Sequence, residues 1–120
     1  MQGHKFTICH HAHGVLAANY VGRFKLSENA TLQRIQFSCS SATAATLDFG
    51  TAADPDGIID GAAIGQSDAV NILERAQFNG VLYTDVSDIE HVVLQAGQVY
   101  VFTIIHASAA NVDLVFELLE

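Results

Sequence analysis

Tryptophan is absent, proline occurs once, and only five lysines and arginines stand among 120 residues. Each scarcity closes a class of function. Without tryptophan, and with three tyrosines, the aromatic platforms that stack on sugar rings are few, which weakens a carbohydrate-binding reading. Five bases against thirteen acids give a formal charge of −8. Nucleic-acid affinity rests on counterion release by Lys and Arg, so no nucleic-acid partner is expected. No apolar run approaches the ~18 residues of a membrane helix, and no apolar signal-peptide core follows Met1-Gln2-Gly3-His4-Lys5, so no membrane partner is expected either. Charged residues make up 15% of the chain, too few for the disordered class, and collagen and heptad repeats are missing. The nucleophile elbow, the phosphate loop, Cys-x-x-Cys and His-Glu-x-x-His are likewise missing, which favours a non-enzymatic role.

What is present is a chain half hydrophobic. At this length it buries about two-thirds of its unfolded surface, enough for one domain. Its charge is polarised. Lys5, Arg23, Lys25 and Arg34 face only Glu28 in residues 1–34, a balance of +3, whereas Arg75 stands against twelve acids in the remainder, a balance of −11. The four bases of the first segment are therefore the candidate partner-binding residues, docking on an acidic neighbour or on a second copy. Cys9 and Cys39 both lie in apolar stretches, where a free thiol packs as a small hydrophobe.

The pattern predicts an all-β chain, an antiparallel β-sandwich or jelly roll. Residues 99–106 form a continuous β-branched and aromatic run and read as a buried strand. In residues 112–119, Val112, Leu114, Phe116 and Leu118 share one face, with Asp113 and Glu117 on the other. The two runs read as a hairpin with a five-residue loop. Residues 31–39 alternate, with Ile35 and Phe37 inward, Arg34 and Gln36 outward, and Leu32 out of phase with that set. Further strands are expected at 6–11, 18–26, 45–50, 81–83 and 90–94. At most one short helix is expected, near residues 68–76, where Ala69, Ile72, Leu73 and Ala76 fall on one helical face behind Ser67 or Asp68 as cap, and Ile72-Leu73 fit a strand equally well. Residues 51–66 read as the longest loop. The domain reading is an N-terminal arm over 1–14 and a single sandwich over 15–120.

Three clusters could carry chemistry. Cys9-His10-His11-Ala12-His13-Gly14 gathers three imidazoles and a thiol, donors preferred by Zn²⁺ and other transition metals. On an extended strand Cys9, His11 and His13 project from one face, which makes His11 and His13 the candidate metal ligands. His4, His91, His106 or symmetry-related copies would complete the shell. Asp54-Pro55-Asp56-Gly57 begins a run of carboxylates around glycine, but its spacing departs from a calcium loop and fits a type I turn, with Pro55 in second position. Asp85, Asp88, Glu90 and His91 form a second acidic group that reads as a solvated rim. Asn29-Ala30-Thr31, a glycosylation sequon by pattern, reads as a turn.

Three segments carry a wider likeness. Residues 30–35 after an Ala-Thr turn, residues 44–57 running from a strand into an Ala-Asp-Gly loop, and Leu94-Gln95-Ala96-Gly97-Gln98-Val99-Tyr100 leading into the last strands resemble the small β-sandwich virion proteins of tailed bacteriophages. Those are capsid cement or decoration proteins. The resemblance covers roughly residues 20–120 and carries no site residues with it. It implies a structural virion subunit, assembled in the host cytoplasm, that binds the major capsid protein or other virion subunits, and the expected oligomer is a homotrimer. The alternatives are a carbohydrate- or receptor-binding sandwich and a small metal-dependent jelly-roll enzyme.

Overall fold

Strands form where apolar side chains recur every second residue. The computed structural model describes residues 4–16, 18–40, 45–63, 69–74, 78, 92–105 and 109–120. Nine strands are found among them: β1 (Lys5–Val15), β2 (Tyr20–Lys25), β3 (Ala30–Ser38), β4 (Thr46–Thr51), β5 (Ile59–Ala63), β6 (Asn71–Glu74), β7 (Val92–Leu94), β8 (Val99–Ile105) and β9 (Ala110–Leu119). They build two antiparallel sheets packed as a sandwich. The first runs β1-β9-β3-β6, with β7 beside β6 on the same edge of β3, and the second runs β2-β8-β4-β5.

The pairing is nested. β1 pairs with β9, β2 with β8, β3 with β6 and β7, and β4 with β5. The chain therefore behaves as one long antiparallel ribbon whose tip is the β4–β5 connection. Wrapping closes it through two further pairings, β3 with β9 and β4 with β8. This is jelly-roll wrapping. Consecutive strands fall in alternate sheets over most of the chain, so apolar faces from distant segments meet in one core.

That core is aromatic. Phe116 lies 4.9 Å from Phe49, 5.2 Å from Phe24 and 5.5 Å from Phe102 between ring centroids, and Tyr100 stacks near Phe24 and Phe49. Ile35, Phe37, Phe102, Ile104, Phe116 and Leu118, the inward set of the sequence, are all buried. The phase slip at Leu32 also has its cause: a β-bulge between Leu32 and Arg34 lets Leu32, Ile35 and Phe37 all turn inward. Residues 99–102 are apolar on both faces because the 51–58 loop folds back over the outside of the second sheet. Ala52 donates its N–H to the Val99 carbonyl (3.1 Å), and a Cβ on Gly50 would overlap the Asp54 and Pro55 backbone.

Five expectations are corrected by this architecture. β8 and β9 are not a hairpin. They lie in opposite sheets, because β8 fills the middle of the second sheet and β9 the middle of the first. Residues 71–74 are strand and not helix, since pairing Arg34 with Glu74 through Phe37 with Asn71 extends the first sheet; Asp68 and residues 75–76 lie outside the described residues. Residues 5–14 are no arm outside the sandwich. They are the body of β1, paired with β9 from Lys5 to Ala12, with Phe6 and Ile8 packed on the core and Ala12 within it. Cys9 is exposed on the outer face of β1 instead of packing as a hydrophobe, while Cys39 is buried, and neither forms a disulfide. Strand β5 also interrupts the expected 51–66 loop. The expected strand at 81–83, residues 90–91 and the whole Asp85, Asp88, Glu90, His91 group lie outside the described residues.

Candidate functional site

The interior is filled with hydrocarbon, and among the described residues no polar or charged residue is buried. Chemistry therefore belongs to the surface. The broadest candidate is the outer face of the first sheet, where strand register arranges side chains in cross-strand rows. Lys5, Leu119, Thr31 and Val93 form the first row. Thr7, Glu117, Arg34 and Glu74 form the second, Cys9, Val115, Gln36 and Ile72 the third, and His11, Asp113 and Ser38 the fourth, with Val70 beside it.

The second row is an ionic ladder. Glu117 accepts a hydrogen bond from Gln36 Nε2 (2.7 Å) and lies 3.3 Å from Arg34 Nε. At the β3 bulge this ladder borders a hollow of about 210 Å³, lined by Lys5, Thr7, Gln33, Arg34 and Glu117 and by Phe6 and Leu118. The third row and its neighbour are apolar at the far edge: Ile72 is 43% exposed and Val70 59%, beside a shallow dip lined by Gln36, Ser38, Asp113 and Val115. In the fourth row His11 Nδ1 lies 2.6 Å from Asp113 Oδ1. A carboxylate only accepts, so the imidazole proton sits on Nδ1 and donates. His13 follows on the same face, its ring 6.1 Å from that of His11.

The structure divides the sequence-derived candidates. Cys9, His11 and His13 share one outer face, as strand geometry requires, while His10 turns inward and is hydrogen-bonded through Nε2 to the Tyr20 hydroxyl of β2. Among the described residues no group of three or more His, Cys, Asp or Glu converges on a common point. His4 lies at the opposite end of β1 from His13, and His91 and His106 lie outside the described residues. The four bases do not form one patch. Lys5 and Arg34 lie on the first sheet, whereas Arg23 and Lys25 project from the outer face of β2 in the second. Lys25 joins His4, Glu28 and Glu120 around an open cleft of about 490 Å³ between the β1 and β2 edges, floored by Phe6, Ile8 and Leu26.

The Asp54 turn is as expected: Gly57 donates its N–H to the Asp54 carbonyl (3.0 Å), and Asp56 keeps a negative φ, as type I requires. Its carboxylates crowd Asp48 and Asp60. Burial raises the Asp48 carboxyl above its ordinary range, opposed by the Gly61 N–H it accepts at 2.7 Å and reinforced by the charges of Asp60 and Asp56. The Asp54 carboxyl is raised by a side-chain hydrogen bond to Asp56, then by desolvation and neighbouring charge. Asn29 accepts the Ala96 N–H (2.8 Å), tying the β2–β3 turn to the turn before β8.

Comparison with protein-family models, with curated proteins and with solved structures finds no match. The site thus rests on its own geometry. Sequence reasoning missed Asp113 as the partner of His11 and Gln36 as the partner of Glu117. The alternation of β9 marked Asp113 and Glu117 as outward, but their partners follow from registers between segments about 80 to 100 positions apart, and no local signal carries those.

Proposed function

We propose that the chain is a non-enzymatic assembly subunit, a capsid cement or decoration protein of a tailed bacteriophage that acts as a homotrimer on the major capsid protein or other virion subunits. The observation that carries this reading is the outer face of the first sheet. It carries an apolar edge of Val70, Ile72 and Val93 beside the charged row of Arg34, Glu74 and Glu117, and it runs to β1, the outermost strand of this sheet among the described residues. Apolar patches beside charged groups are what protein interfaces use for affinity and register. Jelly rolls recur in viral capsids, and the sequence resemblance points to the same setting. Fold alone would not suffice, since jelly rolls also serve lectins and cupins. Among the described residues the interior carries no buried histidine or carboxylate, which favours an assembly role over a metal centre inside the sandwich.

The test is the mass of the full chain in solution, by light scattering, beside a Val70→Glu, Ile72→Glu variant. A species of three times 12.8 kDa that dissociates in the variant supports the reading. A strict monomer that binds no particle overturns it.

A further inference from the structure

We propose that His11 and His13 chelate one borderline divalent cation, Zn²⁺, Ni²⁺ or Cu²⁺, on the outer face of the first sheet, with Asp113 as the positioning residue for the His11 ring. Both rings project from the same face of β1, two residues apart. Their centroids are 6.1 Å apart. Two imidazoles bound tetrahedrally to Zn²⁺ at ~2.1 Å have centroids about 5 Å apart. The difference is within reach of a rotation of the exposed His13 side chain while His11 stays on Asp113.

Asp113 fixes the remaining variable. Because its Oδ1 takes the Nδ1 proton of His11 at 2.6 Å, the Nε2 lone pair of that ring is directed away and free for a metal. A carboxylate–histidine–metal arrangement uses the same logic and also raises the basicity of the ligand. The backbone beneath is held in place. His11 stands directly opposite Asp113 in the β1–β9 register, and after His13 the strand is anchored by Gly14, whose N–H donates to Asn111 Oδ1 (2.9 Å). Gly14 has φ +80°, the left-handed turn through which the β-bulge between Ala12 and Val15 passes. Cys9 shares the face but its thiol is turned along the strand to Thr7 Oγ1 (3.8 Å), away from the pair. The site thus offers two protein nitrogens and completes its shell with water. Such a site binds reversibly and does not hold the fold together, unlike a four-ligand structural zinc. It stands apart from the assembly reading, and the failure of either leaves the other intact.

Calorimetric titration of the tag-free full chain with ZnCl₂ and NiCl₂ tests it. One cation per chain is expected. His11→Ala or His13→Ala should each weaken binding at least tenfold, and the double variant should abolish it. Asp113→Asn should cost about tenfold, the lower end for an outer-shell partner. The thermal midpoints of these exposed-site variants without metal should match that of the parent, and His4→Ala should bind as the parent does. Undiminished binding by the double variant overturns the site, as does no binding at millimolar cation or one cation shared by two chains. Unchanged affinity in Asp113→Asn overturns the positioning role.

Discussion

Phe116→Ala removes the ring on which the two sheets meet. Phe116 is fully buried and belongs to the central strand of the first sheet, and its ring contacts Phe24 and Phe102 of the second sheet's β2 and β8 as well as Phe49 of β4. A Phe→Ala change in a core costs about 3–5 kcal/mol from lost transfer energy and the cavity left behind. Three aromatic pairs are lost with it, each worth roughly 0.5–1.5 kcal/mol beyond area. The neighbours are themselves rings pinned in extended strands and collapse poorly into the void, so the cost should fall at the upper end, about 4–5 kcal/mol. For a domain of this size about 4 °C follows each kcal/mol, giving a fall in thermal midpoint on the order of 15–20 °C. That is much of the stability of an ordinary domain. Urea denaturation followed by far-ultraviolet circular dichroism measures it, with Phe116→Leu as the volume-conserving comparison, expected to lose about a third as much. A loss below about 1.5 kcal/mol for the alanine variant, with an unchanged denaturant slope, would refute the packing described.

The remaining expectations concern other parts of the fold. Gly50→Ala should destabilise by about 3 kcal/mol or more, because its Cβ would meet backbone of the 54–57 turn, including the Gly57 nitrogen at 2.6 Å, and backbone cannot step aside as a side chain can; a thermal midpoint equal to that of the parent would contradict the folded-back loop. Asp48→Asn should raise the thermal midpoint at pH 7. The folded-state carboxyl is raised, so its contribution is unimpaired below the unfolded value of ~3.9 and is lost as pH rises through the folded value. The gain from Asn should therefore shrink towards pH 4 in a pH series of melts, and a gain that grows on acidification would reverse the sign argued here. Removing residues 1–14 should abolish cooperative unfolding, since β9 loses β1, one of its two partners, along Lys5 to Ala12 and the core loses Phe6, Ile8 and Ala12; a truncated chain with a sharp transition would restore the arm reading.

Why some of this was legible in sequence and some was not follows from range. Alternation within residues 112–119 and 31–39 is local, and it placed Phe116, Leu118, Ile35 and Phe37 in the core. The bulge between Leu32 and Arg34 was not anticipated, because it belongs to the pairing of β3 with β9. Pairing is not local. Val99–Ile105 and Ala110–Leu119 are neighbours in sequence and strong strand formers, which favours a hairpin, yet each buries more by joining the middle of a different sheet. Residues 69–76 carry a helical apolar spacing, but the free edge of β3 offers backbone partners that a short isolated helix lacks. The candidate site divides in the same way. His11 and His13 on one face follow from a period of two, whereas Asp113 beside His11 is a product of the β1–β9 register. Charge summed along the chain gave four bases in one segment, and the alternation of strands between sheets then separated them.

The assembly proposal is tested most directly by quantitative mass spectrometry of virus particles purified from a lysate that contains the chain, counting its copies against those of the major capsid protein. The account predicts a fixed, simple ratio that survives extensive washing and falls when Val70→Glu, Ile72→Glu replaces the parent. Absence of the chain from intact particles, with the folded protein left in the soluble lysate, would contradict it.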